Sequence, residues 1–287
     1  MIWLKLQGGL GNQMFQYAAV RTLVEEKRYQ LVCTRSAGYE NLLYEAFDLP
    51  GYPVWQNWEN RHLTSFWKRK APDCYVPEFV QYSDKCRMEC FNAAFKNLPD
   101  GRQIGSWLQS TEYFQHNRER VLSWFGPRKK HRRQLELLES QLPEPAEKRC
   151  CIHVRRGDYK TIDEGLSGGP DGWILPEGYY RQAIGQVPDD VHFVVVSDDP
   201  EAAERMFSHL PDKTVLRGNA AVVDMFLMTR CRYNIIANST FSWWGAWCNT
   251  MPGRKVIAPL YHTGWSIGRW CPDRLFVPDW DYLVVER

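Results

Sequence analysis

Cys151-Ile-His-Val-Arg-Arg-Gly-Asp-Tyr159 joins four residues of strand character to two adjacent arginines, a glycine and an aspartate. A strand ending on Arg155-Arg156-Gly157 delivers fixed positive charge to the carboxyl edge of a sheet, where open α/β folds place their ligands. Arginine keeps its proton at every accessible pH, and its planar fork meets a phosphate with paired hydrogen bonds. A solvated turn, with an arginine salt-bridged to Asp158, is the competing reading of the same residues. The segment leaves both open, and its neighbours have to decide.

Downstream, strand and helix alternate. Residues 150–154, 191–196, 214–216, 233–237 and 255–260 read as strands. Helical patterns cover 179–184 and 222–231, and another begins at Ser239. Such alternation predicts a parallel sheet with helices on both faces. Three strand ends then line one edge, carrying His153 to Asp158, Ser197-Asp198-Asp199, and Asn238-Ser239-Thr240-Phe-Ser242. The last group sets hydroxyls at a helix N-terminus, where unpaired N–H groups and the dipole favour an anion. Arginines and a helix N-terminus on one edge suit a diphosphate. A Mg²⁺ ion bridging Asp198, Asp199 and phosphate is a second use of the acidic pair. A helix cap in front of Pro200 is the plainer one.

The chain opens with an apolar strand at 2–6, then Gly8-Gly9-Leu10-Gly11-Asn12-Gln13 and a helical pattern containing Tyr17, Val20, Leu23 and Val24. Strand, glycine turn and helix suggest a Rossmann-like start. The glycines match neither G-x-G-x-x-G nor a P-loop. Asn12 and Gln13 have two open uses, binding ligand hydroxyls or phosphate and capping the helix. Residues 31–125 hold a second strand near 31–33, a strand leading from Ile104, and many aromatic residues. Tyr39, Tyr44, Phe47, Tyr52, Trp55, Trp58, Phe66, Trp67, Phe79, Tyr82, Trp107, Tyr113 and Phe114 are expected chiefly in cores, with sugar stacking as the minor use. Composition shifts at 126–149, a basic run followed by a short helix at 135–142 and a proline-rich close. It divides an N-terminal domain, 1–142, from a C-terminal domain, 150–287, whose tail can pack back on the first.

The chain has 287 residues, 44% of them hydrophobic and 14% aromatic, enough for substantial cores. A formal charge of only +2 gives bulk electrostatics no reason to favour nucleic acid, so any anion must be met by local arginines. Nine cysteines, several inside apolar runs, predict buried thiols in a reducing compartment. Cys86 and Cys90 are one helical turn apart but lack partners at zinc-site spacing. The opening residues do not form a signal peptide, and no apolar run reaches eighteen residues, so a cytoplasmic protein without a transmembrane segment is expected. The sequon at Asn238 would then stay unglycosylated. The basic run allows peripheral contact with anionic head groups of an inner membrane, with a solvated face as its ordinary use.

Gly8-Gly-Leu-Gly-Asn-Gln-Met-Phe-Gln-Tyr-Ala18, His153-Val-Arg-Arg-Gly-Asp-Tyr159, Phe193-Val-Val-Val-Ser-Asp-Asp199 and Asn238-Ser-Thr-Phe-Ser-Trp-Trp-Gly-Ala-Trp247 together resemble the motif set of glycosyltransferase family 11, the α-1,2-fucosyltransferases. The resemblance spans residues 8–247, with no transferable motif in 31–125. It implies a GT-B architecture, two Rossmann-like domains facing a cleft, with the donor GDP-fucose held mainly by the second. It further implies that Arg155 binds the β-phosphate and acts in catalysis, while Arg156 lies nearby or braces the loop. His153 and Asp224 would contact guanine or ribose, and Asn238, Ser239, Thr240 and Ser242 would line the phosphates. Asp158 would hold the loop. From the facing domain, Gly11, Asn12 and Gln13 would close over the sugar-phosphate, with Asn12 counted among the catalytic groups.

The implied reaction moves L-fucose from GDP to the 2-hydroxyl of a terminal galactose with inversion and without a metal or other cofactor. No carboxylate is assigned as general base. The acceptor is a galactose-terminated glycan, free or lipid-linked as in O-antigen synthesis. A catalytically silent nucleotide-sugar or glycan binder, and a fucosyltransferase of other linkage or acceptor, are the alternatives.

Overall fold

The computed structural model describes residues 1–49, 75–77, 79–83, 86–161, 173–262 and 275–286. The chain separates into two compact units. The first comprises Met1–Gln81 with Arg87–Arg128, and the second Tyr82–Cys86 with Lys129–Arg287.

In the first unit, strand β1 (Ile2–Leu6) alternates buried and half-buried side chains, so Ile2, Leu4 and Leu6 enter the core. Helix α1 (Leu10–Lys27) follows and is buried nearly all round as far as Val24, which makes it a central helix rather than a surface one. It returns the chain to β2 (Leu31–Arg35), parallel to β1. Helix α2 (Leu42–Ala46) then packs on α1. Strands β3 (Phe79–Ser83) and β4 (Cys86–Glu89) form a separate two-stranded sheet, so Cys86 lies on a strand and does not share a helical turn with Cys90. Strand β5 (Gln103–Ile104) completes a parallel sheet ordered β2-β1-β5. Helix α3 (Arg118–Trp124) closes the unit.

Among the described residues, most of the aromatics singled out in the sequence act as core. Tyr44, Phe47, Tyr113 and Phe114 are buried. Tyr17 packs edge-on to Tyr44 and Trp124, and Phe47 lies 5.1 Å from Phe125 between ring centroids. Trp107 is half-buried and Tyr39 exposed. Tyr52, Trp55, Trp58, Phe66 and Trp67 lie outside the described residues, as do the side chains of Phe79 and Tyr82.

The second unit begins with α4 (Lys129–Gln141), six residues earlier than the apolar pattern suggests. Its first two turns carry the basic run, in which Lys129, Lys130, Arg132 and Arg133 are exposed and His131 is buried. Cations at a helix N-terminus oppose the dipole, so the sequence signal starts only at Leu135. Helix α4 is tied to β6 (Arg149–Val154) by Arg149, whose buried guanidinium donates to the carbonyls of Glu139, Leu142 and Pro143. The order continues with α5 (Glu177–Ile184), β7 (His192–Ser197), α6 (Pro200–Met206), β8 (Lys213–Val215), α7 (Ala221–Leu227), β9 (Tyr233–Ile235), α8 (Thr240–Trp247), β10 (Lys255–Pro259) and β11 (Asp281–Leu283).

All six strands of this sheet are parallel, in the spatial order β11-β10-β9-β6-β7-β8. Counted from β6, that is the doubly wound order 3-2-1-4-5-6, whose strand order reverses between β6 and β9. Every residue of β6 is buried, as expected of a central parallel strand covered on both faces. Cys150, Ile152 and Val154 face one core with Tyr179, Tyr180 and Phe207. By strand alternation Cys151 and His153 point to the opposite face, where the His153 ring meets Phe241 of α8. The described end of the tail belongs to this sheet as its edge strand β11. Among the described residues no helix is long and apolar enough to cross a membrane.

Candidate functional site

The carboxyl ends of β6 and β9 flank the point where the strand order reverses, and most of the residues singled out in the sequence lie there. After Val154 the chain leaves the sheet at Arg155 and Arg156, both partly exposed. Arg155 is held from two sides, with Nη2 donating to Asp158 Oδ1 at 2.6 Å and Nη1 in an ion pair with Asp198 Oδ2 at 2.8 Å. Asp198 follows β7, and its other oxygen accepts the Arg156 backbone N–H at 2.8 Å. A Cβ on Gly157 would run into this carboxylate, so glycine is what lets the loop close over Asp198. Arg156 and Lys160 both pair with Asp199, at 3.5 and 2.6 Å. Asp199 also caps α6, accepting from Ala202 N–H at 3.1 Å with Pro200 in the first turn, as the sequence suggests. The Lys160 hydrogen bond first, and that cap second, hold its carboxyl below the usual range.

The competing readings of the arginine pair therefore describe one arrangement. Arg155 does bridge to Asp158, but Asp158 is 63% exposed, and exposed pairs are worth about 0–1 kcal/mol. An incoming anion displaces such a partner cheaply. Asp198, with its side chain 25% exposed and bonded on both oxygens, stays as the fixed brace.

Tyr159 joins this loop to β9. Its ring lies beneath the Arg155 guanidinium, 5.4 Å from centroid to Cζ. Its buried hydroxyl donates to the Asn238 carbonyl at 2.9 Å and interacts with the Ser239 hydroxyl. Asn238 is buried, with its amide donating to the Trp173 carbonyl at 2.8 Å. Ser239 is the N-cap of α8, its hydroxyl accepting from Phe241 N–H at 3.3 Å. Thr240 is the first helical residue and half-buried. Ser242 is fully buried, and its hydroxyl is turned back to the carbonyls of Ala237 and Ser239 at 3.2 and 3.3 Å. It braces the start of α8 from inside.

His153 packs against the ring of Phe241, with centroids 5.1 Å apart. Burial first, and the adjacent Arg155 charge second, hold its pKa down to about 3, so the imidazole is neutral at physiological pH. Its Nδ1 and the Asn238 Oδ1 are buried without hydrogen-bond partners. Asp224, in the first turn of α7, accepts from Asn219 Nδ2 at 2.9 Å and lies close enough to Cys151 to act on its thiol. Burial raises its pKa to about 6, with the Asn219 bond opposing. It is thus a half-buried acid with one amide partner.

In the first unit, α1 already starts at Leu10 with Gly9 as N-cap and no side-chain cap. Gly11 is therefore inside the helix, and neither Asn12 nor Gln13 caps it. Gly8 has φ +75°, and a Cβ there would meet the Asn12 side chain and Trp107. Gln13 is fully buried and uses both amide hydrogens, on the Gly8 and Glu40 carbonyls at 2.9 and 2.8 Å. Its oxygen accepts from Leu43 N–H at 3.0 Å. Asn12 remains half-buried, its oxygen accepting from Gln109 at 2.8 Å.

A strand-end arginine pair, a neutral histidine, an aspartate and a helix N-terminus on a single sheet edge suit a nucleoside diphosphate. A model of the family described as "Glycosyl transferase family 11" matches residues 106–283. The chain belongs to glycosyl transferase family 11. It is 29% identical to the O-antigen biosynthesis glycosyltransferase WbnK of Escherichia coli, over 88% of this chain and 92% of that protein. It is 31% identical to an α-1,2-colitosyltransferase of Escherichia coli, over 89% of this chain and 90% of that protein. Among solved structures, POFUT1 in complex with GDP aligns with TM-score 0.55 at 12% identity, over 90% of this chain and 97% of that one. NodZ α-1,6-fucosyltransferase soaked with GDP-fucose aligns with TM-score 0.51 at 14% identity, over 86% and 92%. The family 11 chain thus has the α/β fold of GT-B fucosyltransferases, as the sequence resemblance implies.

Two contributors escape the motif reading. Asp198 is visible in the sequence only as half of an acidic pair, and its use on Arg155 depends on the β6–β7 register. Tyr159 closes a motif but carries no sign of its reach to Asn238.

Proposed function

We propose that this family 11 glycosyltransferase moves L-fucose from GDP-β-L-fucose to the 2-hydroxyl of a terminal galactose, giving an α-1,2 linkage. The observation that carries this reading is the Asp198-braced Arg155 beside the α8 N-terminus at the strand-order reversal. There the diphosphate lies on Arg155 and the Ser239-Thr240 turn, and the nucleoside on His153 and Asp224. As the fucose C1–O bond breaks, its electron pair passes to the β-phosphate oxygen and C1 becomes oxocarbenium-like. The acceptor hydroxyl attacks the opposite face of C1 and gives its proton to a base, which inverts the centre. Preorganised positive charge on the leaving phosphate is the main catalytic contribution of this chain, and such electrostatics is usually the largest catalytic effect. Gln13 and Ser242 contribute by holding backbone. No metal is needed, because guanidinium charge does the neutralising.

A second reading of the donor is favoured by the α-1,2-colitosyltransferase relative, with a colitosyl group in place of fucosyl at the same phosphate site. The WbnK relative, named for O-antigen biosynthesis, supports an O-antigen glycan as the acceptor. Incubation with GDP-fucose and lactose tests the proposal. GDP release with a new fucosyl-lactose carrying a 2-linked fucose is expected, in EDTA as well as without it. A chain that binds GDP but yields no product with any galactoside would be a silent binder instead. Product only from the colitosyl donor would select the second reading.

A further inference from the structure

Helix α4 turns one face inward, burying His131 and Leu135, and carries Lys129, Lys130, Arg132 and Arg133 exposed in its first turns. Glu136 is the acid among its exposed residues, and Glu139 is spent on Arg149 and Arg230. Among the described residues no carboxylate pairs with Lys129, Lys130 or Arg133. Lys129 stands four positions before Arg133 and Lys130 three, so their charges repel along one face. They also oppose the dipole at the helix start. Charge is thus concentrated where the helix tolerates it least, with no described partner to neutralise it.

Leu137 continues the same face four positions after Arg133, and it is 61% exposed. Cations around an uncovered leucine match an anionic lipid surface, whose phosphates meet the cations and whose acyl boundary receives the leucine. A nucleic acid offers the phosphates without the apolar layer. The direction of α4 is set at its other end. Arg149, the first residue of β6, donates to the carbonyls of Glu139 and Leu142, so the helix finishes at the amino edge of the sheet. Glu139 also pairs with Arg230, just past the end of α7, and the two helices pack together. Lys129 lies about 15 Å along the helix from Glu139, at 1.5 Å per residue. The basic turns therefore lie toward the edge that carries Arg155.

We propose that the start of α4 docks the chain on an anionic phospholipid surface, with Lys129, Lys130 and Arg133 among the head groups and Leu137 entering beneath them. Docking would hold the chain where a lipid-linked glycan acceptor resides. The surface itself does not depend on the donor reading, which GDP affinity reports separately.

Co-sedimentation of the full chain with vesicles of phosphatidylglycerol and phosphatidylcholine, against phosphatidylcholine alone, tests this without turnover. The wild type should prefer the anionic vesicles by about tenfold or more, and the preference should fade as salt screens the charges. A triple variant, Lys129→Ala with Lys130→Ala and Arg133→Ala, should lose about tenfold or more, since each cation near such a surface is worth about fivefold. Leu137→Ser should lose about threefold or more through the missing apolar contact. All these positions are exposed, and both variants should unfold cooperatively in urea and bind GDP as the wild type does. Equal binding to the two kinds of vesicle, or anionic-vesicle binding unchanged in the triple variant, would overturn the proposal. Loss in the triple variant with Leu137→Ser at wild-type affinity would make the face a general polyanion site and overturn the bilayer assignment.

Discussion

Replacing Asp224 by asparagine should make the protein more stable and its donor site worse. Burial raises the pKa of this carboxyl from the ordinary 3.8 to about 6, against the opposing Asn219 bond. At 1.36 kcal/mol per pKa unit the rise is worth about 3 kcal/mol, and partial exposure reduces that to about 1–2 kcal/mol. The sign follows from proton uptake. Below pH 4 the side chain is protonated folded and unfolded, and nothing is lost. Between 4 and 6 the unfolded chain ionises first, so stability falls as pH rises, and above 6 the loss is complete. Asparagine never ionises and keeps a group that can accept from Asn219. Urea midpoints should therefore agree near pH 4 and favour Asp224→Asn by about 1–2 kcal/mol at pH 8. Calorimetric titration at pH 8 should show GDP bound at least tenfold more weakly, since a hydrogen bond to a charged group is worth about 1.5–3 kcal/mol. In the wild type GDP affinity should drop as pH falls through 6. A variant with no larger margin over wild type at pH 8 than at pH 4, and with GDP binding intact, would refute both the burial argument and the nucleoside role.

Other substitutions separate holding from binding. Gly157→Ala forces a Cβ into the Asp198 carboxylate and should loosen Arg155, weakening GDP about tenfold with little change in the urea midpoint. Gln13→Ala removes three buried hydrogen bonds and should destabilise the chain by about 2–4 kcal/mol, leaving GDP affinity of the folded protein unchanged. For His153 the folded pKa is about 3 against an ordinary 6.5, so the unfolded state alone gains a proton below 6.5. The stability this gives is present above pH 6.5 and lost as pH falls toward 3. Comparing wild type with His153→Asn, urea midpoints should converge between pH 7 and 4.5.

The parallel sheet of the second unit was legible because buried parallel strands and their helices leave strong apolar periods, and each strand end carried its own chemistry. The order of those strands was not legible. Only pairing places β6 beside β9 and brings Tyr159 to Asn238. Side-chain direction was also hidden. Asn12 and Gln13 are adjacent letters, yet one amide is wholly spent on Gly8, Glu40 and Leu43 while the other stays half-buried. Ser242 reads as a third hydroxyl for phosphate and is instead turned onto the Ala237 carbonyl. The start of α4 was missed because its basic first turns lack an apolar period. The Trp243–Trp280 contact was out of reach, since the two are 37 positions apart and meet only in the fold.

The central claim is that Arg155, braced by Asp198, carries the charge of a departing nucleoside diphosphate. Steady-state GDP release from GDP-fucose with lactose, in wild type and Arg155→Ala matched for urea midpoint, measures it most directly. The account predicts a fall in kcat of about 10²–10³, as for the loss of one preorganised donor. Turnover within tenfold of wild type would contradict it.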